Sequence, residues 1–269
     1  LLADGDVENV IGSGFADSLW GRDLQPNRIA GGGGNDTILG LGGDDDLDGQ
    51  GGTDTVSYAT APSGVIVSLA TGTSAGGHGS DTLAGFENAR GSGGQGDLLV
   101  GTSSANVLDG MGGGDTLLGA GGPDALVGGP GRDTASYAGA ASGVSASLDA
   151  AAAANDGDGS SDTFASIQEL TGSPHADDLT GSAGSPDAIR ALGGADVVRS
   201  RDASADEIDC GSGLDRALVD AAEGSIGGRA GSYWRGSPRP ARRSPSTARP
   251  PARAPRWRRA AWPSSRRPA

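Results

Sequence analysis

The sequence predicts an all-β solenoid: short parallel strands separated by glycine turns and stacked into a roll, with a disordered basic tail behind it. Three observations predict this. Asp36, Asp45 and Asp54 lie nine residues apart, and an aliphatic residue stands two positions after each: Ile38, Leu47 and Val56. A glycine-rich run precedes each aspartate, GGGGN, GLGGD and GQGGT in turn. Composition argues against an aromatic-cored globule, since aromatics are 4% of the chain while glycine is 51 of 269 residues, against a usual share of about 7%.

The repeat unit is GGxGxDxUx, with U a large apolar residue, and Gly31 to Leu39 match it at every fixed position. Extending this first block backwards adds Asn27 with Ile29 and, after one inserted residue, Asp17 with Leu19. A second block runs Asp97, Asn106, Asp115, Asp124 and Asp133, with Leu99, Leu108, Leu117, Leu126 and Ala135 as apolar partners. A third, degraded ladder runs Asp177, Asp187, Asp196, Asp206 and Asp215 in steps of 10, 9, 10 and 9.

The connectors repeat too. TDTVSYA (53–59) returns as RDTASYA (132–138), and GVIVSL (64–69) as GVSASL (143–148). VENVIGS (7–13), FENARGS (86–92) and IQELTGS (167–173) open the three blocks, and GGHGSDTLA (76–84) is one further full unit. The organisation is therefore a first block over 1–58, a connector over 59–91, a second block over 92–137, a connector over 138–171, a degenerate block or cap over 172–228, and the tail over 229–269. Leu1 falls mid-module, so a longer array is expected.

Each unit supplies a six-residue turn and a three-residue strand, and two units close a coil of 18 residues. Stacked coils bring equivalent strands about 4.8 Å apart. One aliphatic side chain per strand faces inward, so the core is thin and each coil depends on its neighbours. Residues 18 apart share an edge: Asp36 above Asp54, Asp115 above Asp133, while Asp45 faces only Asn27. Two carboxylates ~5 Å apart repel by ~1 kcal/mol in water and ~3 kcal/mol at an effective dielectric near 20. A cation between turns reverses that sign. Calcium suits, because it takes roughly six to eight oxygen ligands, backbone carbonyls included, and glycine turns let carbonyls face it.

Competing motifs fail on the same residues. A P-loop needs lysine, and the chain has none. Asp44, Asp46, Asp48 and Gly49 begin an EF-hand loop, but Thr55 stands where a bidentate glutamate belongs. GTSAG around Ser74 lacks the strand-to-helix context of a nucleophile elbow. His78 and His175 read as exposed turn residues, Tyr58 and Tyr137 as packing residues, and Cys210, without a partner, as an unpaired turn residue.

From Asp17 to about Asp215 the chain resembles the RTX family, the haemolysin-type calcium-binding repeats. The resemblance implies a right-handed parallel β-roll that folds on meeting Ca2+ outside the bacterial cell, without catalysis. Carried over by position, the metal residues are Asp36, Asp45, Asp54, Asp81, Asp115, Asp124 and Asp133. Asp17 and Asp97 fit the spacing without full glycine turns, and Asn27 and Asn106 offer a neutral oxygen. Asp177 and Asp196 extend the set into the third block, where the missing glycines of SAGSPD and SRDASAD count against Asp177, Asp187, Asp206 and Asp215.

Charge divides the chain. Residues 1–228 hold all 34 acidic residues and 8 arginines, and residues 229–269 hold 12 arginines and 8 of the 14 prolines. Proline at that density opposes regular structure, so the tail is expected to be disordered rather than a nucleic-acid arm. No apolar run approaches the ~18 residues of a membrane span. The expected setting is secreted or cell-surface, with calcium as partner and cell-surface or matrix components as further ones. The alternative is the carrier region of a secreted hydrolase whose catalytic domain lies elsewhere.

Overall fold

The computed structural model describes residues 9–220, 226–227 and, for the backbone, 230–235. Among these there is no helix, and so none long and apolar enough to cross a membrane. Most strands are three residues long, as x-U-x predicts: Thr37–Leu39, Asp46–Asp48, Thr116–Leu118 and Ala125–Val127. Glycine turns end them on both sides, so the chain crosses to the other sheet after each strand.

Two 13-stranded sheets result. Within each, the register follows the repeat: Leu47 lies beside Ile29, Val56 beside Ile38, Leu117 beside Leu99 and Leu126 beside Leu108. In the third block the steps of 9 and 10 combine, and Ile208 pairs with Ile189, Val198 with Leu179. Away from the two ends, where Val10, Leu19 and Ile226 are partly buried, the inward residues of the ladder strands are buried, and the two ladders merge into one narrow core of Ile29, Leu47, Leu99 and Leu117 against Ile38, Val56, Leu108 and Leu126. This is the all-β parallel roll that the nine-residue period predicts.

The connectors do more than join blocks. Val65–Ser68 pairs in parallel with Leu98–Val100 and antiparallel with Thr73–Gly76, which in turn pairs antiparallel with Thr82–Ala84. Ser145–Ser147, Ala152–Asn155 and Asp162–Ala165 repeat the arrangement in the opposite sheet. Each hairpin fills a gap that would leave unpaired N–H and C=O groups inside the stack. The module contains an odd number of half-turns, so the two copies of one connector fall on opposite sheets.

The tail begins later than composition indicates. Ala230–Arg235 forms a strand parallel to Asp215–Val219, with Ala217 beside Tyr233. This segment carries no proline; the first of the tail is Pro238. The remainder of the expected tail, 236–269, lies outside the described residues.

Candidate metal centre

One hydrogen bond repeats along both edges of the roll. The backbone N–H of each rung residue donates to a side-chain oxygen of the next rung on its edge. On one edge Asp17 donates to Asp36 Oδ1 (2.9 Å), Asp36 to Asp54 Oδ1 (2.7 Å), Asp54 to Glu87 Oε2 (2.8 Å), and Asn106 to Asp124 Oδ1 (2.8 Å). On the other, Asn27 donates to Asp45 Oδ1 (2.7 Å), Asp45 to Asp81 Oδ1 (2.9 Å), Asp97 to Asp115 Oδ1 (2.9 Å), and Asp133 to Gln168 Oε1 (2.8 Å). The third block keeps the pattern: Asp177 to Asp196 Oδ1 (2.9 Å), Asp187 to Asp206 Oδ1 (3.0 Å) and Asp196 to Asp215 Oδ1 (3.1 Å).

Asp45 therefore faces Asp81 as well as Asn27, which corrects the expectation from spacing alone. The first connector returns its own unit to the stack above Asp45. Glu87 and Gln168 hold rungs that no aspartate supplies. Their signal was the repeated block opener, FENARGS and IQELTGS.

The second oxygen sorts the rungs into two classes. Oδ2 of Asp36, Asp45, Asp54, Asp115, Asp124, Asp133, Asp196 and Asp215 is buried with no hydrogen-bond partner. Elsewhere it is taken. Asp17 Oδ2 accepts from the Ser13 N–H (2.6 Å), Asp97 Oδ2 from the Ser92 N–H (2.6 Å), Asp177 Oδ2 from the Ser173 N–H (2.7 Å) and Asp187 Oδ2 from the Ser182 N–H (2.5 Å). The amide oxygens of Asn27 and Asn106 accept in the same way from Arg22 (2.5 Å) and Thr102 (2.6 Å). Asp206 Oδ2 accepts from the Ser200 hydroxyl.

The second residue of the turn decides the class. Ahead of the eight open rungs stand Gly32, Leu41, Gln50, Met111, Ala120, Gly129, Leu192 and Gly211, all with positive φ. That left-handed conformation turns the N–H away from the carboxylate. In Gln50 and Met111 it donates to Asp48 and Asp109 Oδ1 instead (3.1 Å each). Ser13, Arg22, Ser92, Thr102, Ser173 and Ser182 keep ordinary φ and close the rung. Five of the left-handed residues, Leu41, Gln50, Met111, Ala120 and Leu192, are neither Gly nor Asn nor Asp and accept a strain of roughly 1–2 kcal/mol each to hold the oxygen open.

Glycine at the first turn position makes room for that oxygen. A Cβ on Gly110 would lie 2.3 Å from Asp115 Oδ2, and one on Gly119 would lie 2.1 Å from Asp124 Oδ2. Asp196 and Asp215 carry Ala191 and Cys210 there instead. At the fourth position a Cβ on Gly131 would meet the Gly113 carbonyl at 1.4 Å, so the carbonyl of one turn lies against the next. Open carboxylate oxygens and turn carbonyls are the hard oxygen set that calcium takes. Among the described residues no three Asp, Glu, His or Cys side chains converge on one point, so carbonyls would complete any such site.

Burial is the main force on these carboxyls, and it pushes Asp45 and Asp196 up to about 6 and Asp115 and Asp124 up to about 7. The N–H from the preceding rung partly offsets this, and neighbouring carboxylates add to it: Asp81 on Asp45, Asp97 and Asp133 on Asp115. Asp54 and Asp133 are raised for the same reason.

Asp81 is closed differently. Its Oδ2 accepts from the Tyr58 hydroxyl (2.7 Å) and the Ser74 hydroxyl (2.9 Å), and Tyr137 donates equivalently to Asp162 Oδ2 (2.8 Å). The tyrosines are thus buried hydrogen-bond donors as well as packing residues. Ser74 lies on a strand, held by an aspartate. His175 is exposed as expected, but His78 is half-buried. Cys210 is buried rather than a surface turn residue, with its thiol pushed up to about 11, first by burial.

A family model of the RTX calcium-binding nonapeptide repeat (4 copies) matches residues 26–56, 92–126 and 100–135. No curated protein matches the chain. The matched stretches contain six of the eight open rungs, and their repeats are calcium-binding and non-catalytic. Over residues 26–56 and 92–135 the chain thus carries RTX calcium-binding nonapeptide repeats, and its described residues fold as a parallel β-roll.

Proposed function

We propose that the eight open rungs, Asp36, Asp45, Asp54, Asp115, Asp124, Asp133, Asp196 and Asp215, are the calcium ligands of this chain, and that the ion drives its folding in a secreted or cell-surface setting. The observation that carries this reading is the coincidence of an unpartnered, buried Oδ2 with a left-handed second turn residue in every one of them. Asp17, Asn27, Asp81, Asp97, Asn106 and Asp177 act as structural rungs, their second oxygen or amide already engaged. Bound calcium would supply the positive charge that the stacked carboxylates lack, and the ligand set exists only once the turns stack. Sites of this kind in extracellular modules fill at roughly 0.1–1 mM calcium, which fits a setting outside the cell.

Far-UV circular dichroism of the full chain, titrated from chelator to about 10 mM calcium, tests it. A rise in strand signal with a sharp midpoint is expected, and an unchanged spectrum overturns the reading.

A further inference from the structure

The two connectors are copies of one design, and they differ at one buried place. In the first, Asp81 Oδ2 is satisfied twice, by Tyr58 and by Ser74. In the second, Asp162 keeps the tyrosine partner, Tyr137, but Ala153 stands where Ser74 stood: Ser74 lies beside Val67, and Ala153 beside Ala146, the same module position. The second loop is also longer and acidic, Asn155-Asp156-Gly157-Asp158-Gly159-Ser160-Ser161-Asp162, in place of the neutral GGHGS of the first.

Asp156 in that loop is fully buried, at 0% exposure. Its Oδ1 accepts from the N–H groups of Asp158 (2.8 Å) and Ser160 (3.0 Å). Its Oδ2 is buried with no partner. The loop lies over the turn of the Asp124 rung, where a Cβ on Gly121 would meet Asp158 Cβ at 3.5 Å. The Asp124 N–H donates to Asp162 Oδ1 (3.0 Å), and the charge of Asp156 bears on the carboxyls of both. Among the described residues no arginine or histidine forms an ion pair with Asp156. A buried carboxylate with one empty oxygen, beside two more, is strongly unfavourable without a cation.

We propose that residues 155–162 form, against the Asp124 turn, a further divalent cation site of calcium type, with Asp156 Oδ2 as the ligand that no nonapeptide supplies. Asp158 and Asp162 flank it, and the loop carbonyls provide the remaining oxygens. This site lies outside the matched repeats and has no counterpart in the first connector.

Equilibrium dialysis of the full chain with calcium alone, counting ions per chain, tests the site. Asp156→Asn keeps the Oδ1 acceptor and removes the charge. It is expected to bind one ion fewer than wild type, with an unchanged far-UV spectrum at saturating calcium. An equal count in both overturns this site while leaving the repeat ligands standing. Loss of all repeat-bound ions in the wild type, with one Asp156-dependent ion retained, overturns the repeat ligands and keeps this site. An anomalous-difference map of calcium-loaded wild-type crystals needs no variant to fold. It is expected to show an ion about 2.3–2.6 Å from Asp156 Oδ2, and its absence there overturns the proposal.

Discussion

The N–H of Asp115 donates to Asp133 Oδ1 at 2.9 Å, while Oδ2 of both residues stays buried and unpartnered. Each carboxylate therefore has two separate duties. One oxygen satisfies the backbone of the coil before it, and the other is held open for a ligand. An asparagine can perform the first duty but brings no charge to the second.

That division predicts unequal aspartates. Asp115→Asn is expected to raise the calcium midpoint of the dichroism signal about tenfold or more, the equivalent of ~1.4 kcal/mol or above. Asp206→Asn, whose Oδ2 is already bound by Ser200, is expected to move it less than about twofold. Equal shifts would remove the distinction between open and closed rungs.

The second turn residue is a switch that can be thrown. Met111→Ser is expected to relax to ordinary φ, close Asp115 Oδ2 as Ser92 closes Asp97, and weaken calcium binding while stabilising the metal-free chain by up to about 1 kcal/mol. Ser92→Gly should do the reverse at Asp97. Paired calcium titrations and urea denaturation in chelator read both effects.

Gly110→Ala places a Cβ 2.3 Å from Asp115 Oδ2, so the carboxylate must move. A severalfold weaker calcium midpoint is expected. Gly94→Ala meets nothing within 4 Å and has no positive φ, and should be silent in the same titration.

The pH dependence of the metal-free chain follows from the raised carboxyls. Asp45, Asp115, Asp124 and Asp196 have folded values of about 6 to 7, above the ordinary 3.8. A raised value means that the folded state holds the proton more tightly, so this contribution is fully present below about 4 and is lost as pH rises through 6 to 7. In chelator the roll should therefore show more strand signal at pH 5 than at pH 8. A signal that grows with pH would contradict the burial of these groups.

The two tyrosines should differ in their cost. Tyr137→Phe strips Asp162 of its one hydroxyl, while Tyr58→Phe leaves Ser74 on Asp81. Losses of about 1–3 kcal/mol are expected for Tyr137→Phe and about half that for Tyr58→Phe, by denaturation of the calcium-loaded chain.

Much of this protein could be read from period and residue type. The nine-residue step places Ile38 and Val56 on one sheet and Leu47 and Leu117 on the other, because strand and turn lengths are local and repeat without change. Asp162, the rung that takes the Asp124 N–H, lies off that step, and the third block adds steps of ten, but the same step marks most aspartate rungs. It also made all rungs look alike, and Asp81 look as open as Asp36. Asp81 follows Gly77 and is closed instead by Tyr58 and Ser74 from the connector. For the other rungs the second turn residue would have separated them, since Ser, Thr and Arg close a rung in this chain and Gly, Leu, Gln, Met and Ala leave it open. Its meaning emerges only from the φ angle.

By itself, the sequence determined the parallel roll, its aliphatic core and the positions of its carboxylates, all consequences of a repeat that dictates its own neighbours. Only the tertiary structure decided which oxygen is engaged. Tyr58 meets Asp81 across 23 residues and Glu87 serves Asp54 across 33, and Asp156 is buried beside Asp162 because a hairpin folds back into a sheet. Those contacts join different coils, and no local period encodes which coil the next strand will meet.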